Sequence, residues 1–263
     1  MQRPLPCLSE LLDSISRLGT GVMTLRGAVR GMKEVLGVEE LWRIYPMGDS
    51  QVKALRGVSL SIFEGEMVAI TGPSGSGKTT LLNVLSGIDQ PNSGEVLIAG
   101  KPMYSVSDDI RTQMRAENLG FIFQDFNLLP VLSAVENVEL PLLLLGKSAT
   151  ESRKTALEAL ESVGLGDRSD HRPTELSGGQ QQRVAVARAI VHHPKVILCD
   201  EPTGNLDSAT SNTVMELLKE INNKLGTTFL LVTHDKEIAS KCSRVMQMDD
   251  GLIIDSGRGE EEE

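Results

Sequence analysis

From residue 38 onward the apolar positions fall into short runs separated by turn residues. Residues 38–45, 58–62 and 67–71 alternate or form brief apolar stretches that predict strands, with Glu64-Gly65-Glu66 turning the chain between the last two. A helix is predicted from Lys78 to about Ser86, and Asn92-Ser93-Gly94 turns the chain into another strand at 95–99. Between about 105 and 193 the pattern becomes mainly helical; Ala156, Leu160 and Val163 share one face and Gly164 stops that helix. After Pro194 a strand returns at 196–199. Val214, Leu217, Leu218, Ile221 and Leu225 then recur at helical spacing, a strand follows at 227–233, and Asp249-Asp250-Gly251 turns a closing hairpin. The pattern predicts an α/β core with a helical insertion.

Residues 1–37 do not share it. Pro4 and Pro6 open the stretch, and Arg17, Arg26 and Arg30 are spread through weakly apolar sequence. It is expected to be an N-terminal extension, flexible or encoded ahead of a mis-assigned start, with Met32 leading straight into the first strand. It does not read as a secretory leader, because the apolar run at 18–25 holds two glycines and no small-residue cleavage site follows. The main domain is expected over 38–255, its helical part over about 125–190, and an acidic tail over 256–263.

Composition narrows the partners. The 36 acidic against 26 basic residues give a net charge of −10, the wrong sign for a protein whose main partner is nucleic acid, so none is expected. The longest greasy run, 140–145, is interrupted by Pro141 and ends at Gly146, far short of the roughly 20 residues that span a bilayer. Cys7, Cys199 and Cys242 are widely spaced and form no metal-ligand pattern. His192 and His193 precede Pro194 at a helix end, where a cap or a solvated surface explains them without chemistry.

Three segments carry chemistry. Gly72-Pro73-Ser74-Gly75-Ser76-Gly77-Lys78-Thr79, followed by Thr80, fits the P-loop spacing and lies between an apolar strand and a helix. Glycines let successive N–H groups turn onto a β-phosphate, the helix N-terminus favours negative charge, Lys78 reaches the β and γ oxygens, and Thr79 offers a hydroxyl to Mg²⁺. A glycine-rich turn without a ligand is the plainer alternative, and its place between strand and helix speaks against it. Residues 196–201 form a buried, parallel-type strand ending in Asp200 and Glu201, and ligands of such sheets bind at the carboxyl ends of strands. There Asp200 would hold Mg²⁺ through its water shell and Glu201 would face an attacking water as general base; a turn or helix cap is the plainer alternative for paired acids after a strand. Leu176-Ser177-Gly178-Gly179-Gln180 opens a helix, with Ser177 placed to cap it and the glycines to expose N–H groups to an anion; a simple capping box accounts for the same residues.

The order P-loop, Gln124, LSGGQ at 176–180, the acid-ending strand, Asp207 in Gly204-Asn205-Leu206-Asp207, then His234 resembles the ATP-binding cassette (ABC) ATPase family over roughly residues 38–255. The resemblance implies a P-loop ABC-ATPase domain whose helical subdomain is inserted between Gln124 and the signature motif, with ATP and Mg²⁺ as ligands. It implies a head-to-tail homodimer in which ATP on one P-loop is closed by Ser177, Gly178, Gly179 and Gln180 of the other copy. In that scheme Tyr45 stacks on adenine, Gln124 touches Mg²⁺ and the water while sensing the partner, Asp207 crosses the dimer and His234 contacts the γ-phosphate. Plainer alternatives are a strand-end aromatic for Tyr45 and a capped turn before Asp235 for His234.

A finer likeness lies in Gly120-Phe-Ile-Phe-Gln124-Asp-Phe-Asn-Leu-Leu-Pro130 and Ala134-Val-Glu-Asn-Val-Glu-Leu-Pro-Leu142, which are similar to the lipoprotein-release and macrolide-export subgroup. That likeness implies a peripheral protein on the cytoplasmic face of the cell membrane, energising separate integral membrane permease subunits. Mechanotransmission to the cell envelope without transport and a soluble ABC ATPase are the alternatives; the scattered cysteines and the short stretch between Gln124 and Leu176 leave no room for the zinc sites or long coiled coils of the soluble class. Residues 126–146, following Gln124 and rich in leucine, are expected to meet the permease; packing of the helical subdomain's own core is the plainer alternative.

Overall fold

The computed structural model describes residues 33–48 and 50–258. Two long strands, β1 (Glu34–Met47) and β2 (Ser50–Phe63), form an antiparallel pair. With β4 (Ser93–Ile98) and the short β5 (Lys101–Pro102) they make a four-stranded sheet in the order β2-β1-β4-β5. A second sheet holds β3 (Met67–Thr71), β6 (Leu119–Phe123), β7 (Val196–Asp200), β8 (Thr228–Val232), β9 (Arg244–Asp249) and β10 (Leu252–Arg258), in the order β10-β9-β3-β8-β7-β6. Its strands are parallel except β10, which returns along β9 as the predicted hairpin.

The helices are α1 (Lys78–Leu85), α2 (Asp108–Asn118), α3 (Ala134–Leu144), α4 (Ala149–Ser162), α5 (Gly178–Ile190), α6 (Ser208–Leu225) and α7 (Lys236–Ser240). Pro141, which interrupts the leucine run, sits inside α3, and Ser133 with Glu136 closes a capping box at its start.

The central strands read as unbroken apolar runs because both their faces are buried. Met67, Ala69, Ile197, Cys199, Phe229 and Leu231 point to one side and pack with Val138, Leu160, Val186 and Leu218 of the helices. Their alternating neighbours Val68, Ile70, Val196, Leu198, Leu230 and Val232 point to the other and meet Leu36, Leu55, Ile62 and Leu81. Among the described residues, Phe229 is the largest side chain that is fully buried. Phe229→Ala should therefore cost about 3–5 kcal/mol, read as a lower urea midpoint at unchanged slope; a loss under about 1 kcal/mol would mean that this face repacks freely.

Four boundaries differ from expectation. β1 begins at Glu34, and Val35 and Leu36 are core residues, so the domain starts ahead of 38. β2 extends back to Ser50 through an exposed polar stretch that carries no apolar signal. β6 interrupts the segment read as mainly helical, its apolar run of five lying directly after α2 without a turn residue. β10 reaches Arg258, past the tail boundary drawn at 256. The extension over 1–32 and the Glu260–Glu263 tail lie outside the described residues.

Candidate nucleotide site

Register decides which residues meet. Asp200 at the end of β7 pairs with Phe123 of β6 on one side and with Val232 of β8 on the other, while Ile70 of β3 also pairs with Val232. The residues that follow each strand therefore leave one carboxyl edge together: Gln124 after β6, Glu201 after β7, Thr233 and His234 after β8, and the glycine-rich loop after β3. A cavity of about 920 Å³ opens there, lined by Ser74, Gly75, Gly77, Lys78, Thr79, Thr80, Gln124, Asp200, Glu201 and His234, with Tyr45 at its rim.

The glycine-rich loop is shaped to leave its lysine in place. Lys78 is buried, and its ammonium donates to the carbonyls of Gly72 and Pro73 at 2.8 Å each and to Ser76 Oγ at 3.4 Å. Gly77 holds φ +104°, and a Cβ there would stand 2.4 Å from the carbonyl of Ala54, so no other residue fits before α1. Gly72, Pro73 and Ser76 do not line the cavity and serve as this scaffold.

The two acids differ in environment. Burial pushes the Asp200 carboxyl up, the neighbouring Glu201 adds to that rise, and Lys78 opposes it. A dication would relieve this cost. Among the described residues no group of three or more His, Cys, Asp or Glu could hold a metal. The donor set of one carboxylate, the Thr79 hydroxyl and the Gln124 amide suits Mg²⁺, which is held by few protein ligands together with phosphates and water. Glu201 sits at φ +48°, which turns its side chain back across the strand end. Its Oε1 accepts from His234 N at 3.2 Å and lies 2.8 Å from His234 Nδ1, and its Oε2 accepts from Thr233 Oγ1 at 3.3 Å. Asp235 caps α7, as a plain turn reading expects, yet His234 itself faces the acid.

The signature residues stand apart. Ser177 Oγ accepts from Gln180 N and Gln180 Oε1 accepts from Ser177 N, so the capping box is present. It leaves first-turn N–H groups of α5 pointing away from the helix. Gly179 makes room for Thr210, whose methyl would be 2.5 Å from a Cβ there. Thr210 in turn donates from its hydroxyl and its N–H to Asp207, holding that carboxyl below its usual range as it caps α6. Ser177, Gly178, Gly179, Gln180 and Asp207 do not line the cavity that gathers the other candidates.

Several contributors escape a reading of motifs. Asn205 accepts from Gln124 Nε2 at 3.0 Å and donates to Gln124 O at 3.2 Å and Asp125 Oδ1 at 2.7 Å, tying the two loops together. Arg188 of α5 donates to the carbonyls of Phe126 and Asn127, two successive residues at positive φ. Burial brings the Arg188 guanidinium down to about 10. Asp89 and Arg43 bracket Tyr45. Only their positions in space, not their spacing in the chain, reveal them.

A glycine-rich loop carrying a lysine into a helix, facing an Asp-Glu pair on the same sheet edge, defines a P-loop nucleotide hydrolase. The model of the ABC transporter family matches residues 55–204, and the chain belongs to that family as an ABC-type ATPase. It is 49% identical over 222 residues to an uncharacterized ABC transporter ATP-binding protein of Thermotoga maritima, covering 84% of this chain and 94% of the relative. Among solved structures it is similar to the ATP-binding cassette MJ0796, seen as a dimer in a post-hydrolysis state bound to ADP and Pi, with 43% identity, a TM-score of 0.78, and coverage of 86% of this chain and 99% of that one. It is also similar to cbiO1 of Clostridium perfringens, part of the ABC transporter complex cbiONQ, with 35% identity, a TM-score of 0.77, and coverage of 86% and 89%.

Proposed function

We propose that the chain is the ATP-hydrolysing subunit of a membrane transport complex and works as a head-to-tail homodimer. One observation carries this reading: the anion-binding helix start at Ser177–Gln180 and the carboxylate of Asp207 do not reach the cavity that holds the P-loop, although their residue types suit a nucleotide. A second copy would bring them over the triphosphate. The backbone of Ser74, Gly75 and Gly77, carried on the scaffold of Gly72, Pro73 and Ser76, binds the β- and γ-phosphates together with Lys78, with Thr80 beside them; Thr79, Gln124 and Asp200 would hold Mg²⁺; Tyr45 stacks on the adenine. When bound there, Mg²⁺ would neutralise charge on the phosphates. Glu201 takes the proton of the attacking water, and His234 fixes that carboxylate from one side and meets the γ-phosphate from the other. The nearest class of complex is the lipoprotein-release or macrolide-export type, supported by the motif stretches at 120–130 and 134–142.

A surface for the membrane subunit supports the transport reading. Between β6, α3 and α5 lies an apolar groove of about 490 Å³, walled by Ile88, Phe121, Phe123, Pro141 and Leu144. The segment 126–146 divides as a docking surface requires: Leu142 is core, Leu132 half-buried, and Leu129, Val131 and Leu144 exposed, the last at 81%. No helix among the described residues is long and apolar enough to cross a membrane. Leu129→Ser with Leu144→Ser should leave the melting temperature and the basal ATPase of the purified protein unchanged, yet shift it from the membrane to the soluble fraction of its own cells. A fall of several degrees in melting temperature with membrane attachment preserved would mean that these residues serve the core.

A further inference from the structure

Tyr45 lies two residues from the tip of the β1–β2 hairpin, where Met47 and Gly48 are exposed. An aromatic ring at a strand end keeps two free torsions, and a base can stack well only on a ring whose plane is already set. Three contacts set it. The Tyr45 hydroxyl donates to Asp89 Oδ2 at 2.5 Å. Arg43, on the same side of β1, grips the same carboxylate with Nε at 2.8 Å and a terminal guanidinium nitrogen at 2.6 Å. The Arg43 guanidinium also lies over the Tyr45 ring, 4.4 Å from its centroid. One face of the ring is therefore covered by a cation and its para oxygen is tethered, leaving the opposite face for a ligand.

Asp89 can serve as an anchor because it is itself held. Its N–H donates to Asn83 O at 3.0 Å, its carbonyl accepts from the Tyr104 hydroxyl at 2.7 Å, and its Oδ1 accepts from Gln90 N at 2.8 Å. Just beyond, Asn92 accepts from Ile44 N through its side chain and donates from its own N–H to Trp42 O, so the loop clasps β1 on both sides of Arg43. Burial pushes the Asp89 carboxyl up, but the hydrogen bonds from Tyr45, Gln90 N and Arg43 outweigh it and keep the group ionised below its usual range.

We propose that Asp89 and Arg43 are positioning residues for the nucleotide's base: they fix the plane of Tyr45 and reserve its free face, so that base recognition depends on a loop more than 40 positions downstream in sequence. The inference rests on the reading of Tyr45 as the base-stacking residue. The loop carries no P-loop residue, so its loss affects the base and spares the phosphates.

Titration calorimetry on the full chain with Mg-ADP and with base-free Mg-pyrophosphate separates these, since an ATPase hydrolyses neither. Asp89→Ala should weaken ADP about tenfold, as loss of a base–aromatic stack does, and leave pyrophosphate unchanged. Asp89→Asn, which keeps an acceptor for the Tyr45 hydroxyl but gives up the ion pair, should show a smaller loss of the same selectivity and serves if the alanine variant does not fold. Combining Asp89→Ala with Tyr45→Ala should add nothing to Tyr45→Ala alone. Equal weakening of ADP and pyrophosphate, or unchanged ADP affinity in both Asp89 variants while Tyr45→Ala weakens ADP, would overturn the proposal. Unchanged ADP affinity in Tyr45→Ala would instead overturn the stacking role of Tyr45 on which it rests.

Discussion

Glu201→Gln is expected to stop ATP hydrolysis while ATP binding persists. The amide keeps the length of the side chain and can still accept from His234 N, and glutamine tolerates the same positive φ as glutamate, so the strand end keeps its shape. What it loses is the ability to take a proton from water, a contribution of about 10²–10⁴-fold for a positioned general base. Turnover should fall by that factor with ATP affinity within a few-fold of the parent, and an ATP-bound dimer should accumulate on size exclusion. Parental turnover in the variant would remove Glu201 from the role of base.

Lys78→Ala should act at the earlier step. The ammonium is already held inside the loop by two carbonyls at 2.8 Å, so its charge is in place when a polyphosphate arrives. At about 4 Å and an effective dielectric near 20, one charge pair is worth about 4 kcal/mol. That corresponds to roughly a thousandfold in affinity. Equilibrium binding of ATP should be lost over the micromolar range, and affinity within threefold of the parent would contradict the assignment of the phosphate loop. The two variants thus separate binding from chemistry: one abolishes both, the other only turnover.

The parts of the site that were legible in sequence are those whose chemistry demands particular residue types at short range. Lys78 has to follow its glycines, Asp200 and Glu201 have to end a buried strand, and Ser177 has to precede its helix by one position. The supporting contacts were not legible, because they join distant segments: Arg43 to Asp89 across 46 positions, Arg188 to Phe126 across 62, and Gln124 to Asn205 across 81. The fold divides the same way. β3, β7 and β8 announced themselves as apolar runs buried on both faces, whereas the first half of β2 is polar and exposed, and β6 abuts α2 with no intervening turn. Even the leucine run of α3 hid its division, since Leu142 and Leu144 differ by two positions and so face opposite ways on a helix, one into the core and one to solvent.

The dimeric site is the claim on which the rest depends, and a cross-link between two differently substituted chains tests it most directly. Chains carrying Ser74→Cys and chains carrying Ser177→Cys, both with Glu201→Gln and Cys7→Ser, are mixed with Mg-ATP and a short bis-maleimide; Cys199 and Cys242 are buried, and burial pushes both thiols up, to about 12 at Cys242, so they stay unreactive. The account predicts an ATP-dependent species of twice the chain mass containing one chain of each kind, absent when either chain is treated alone. No such species with ATP bound, or equal cross-linking without nucleotide, would contradict a site closed between two copies.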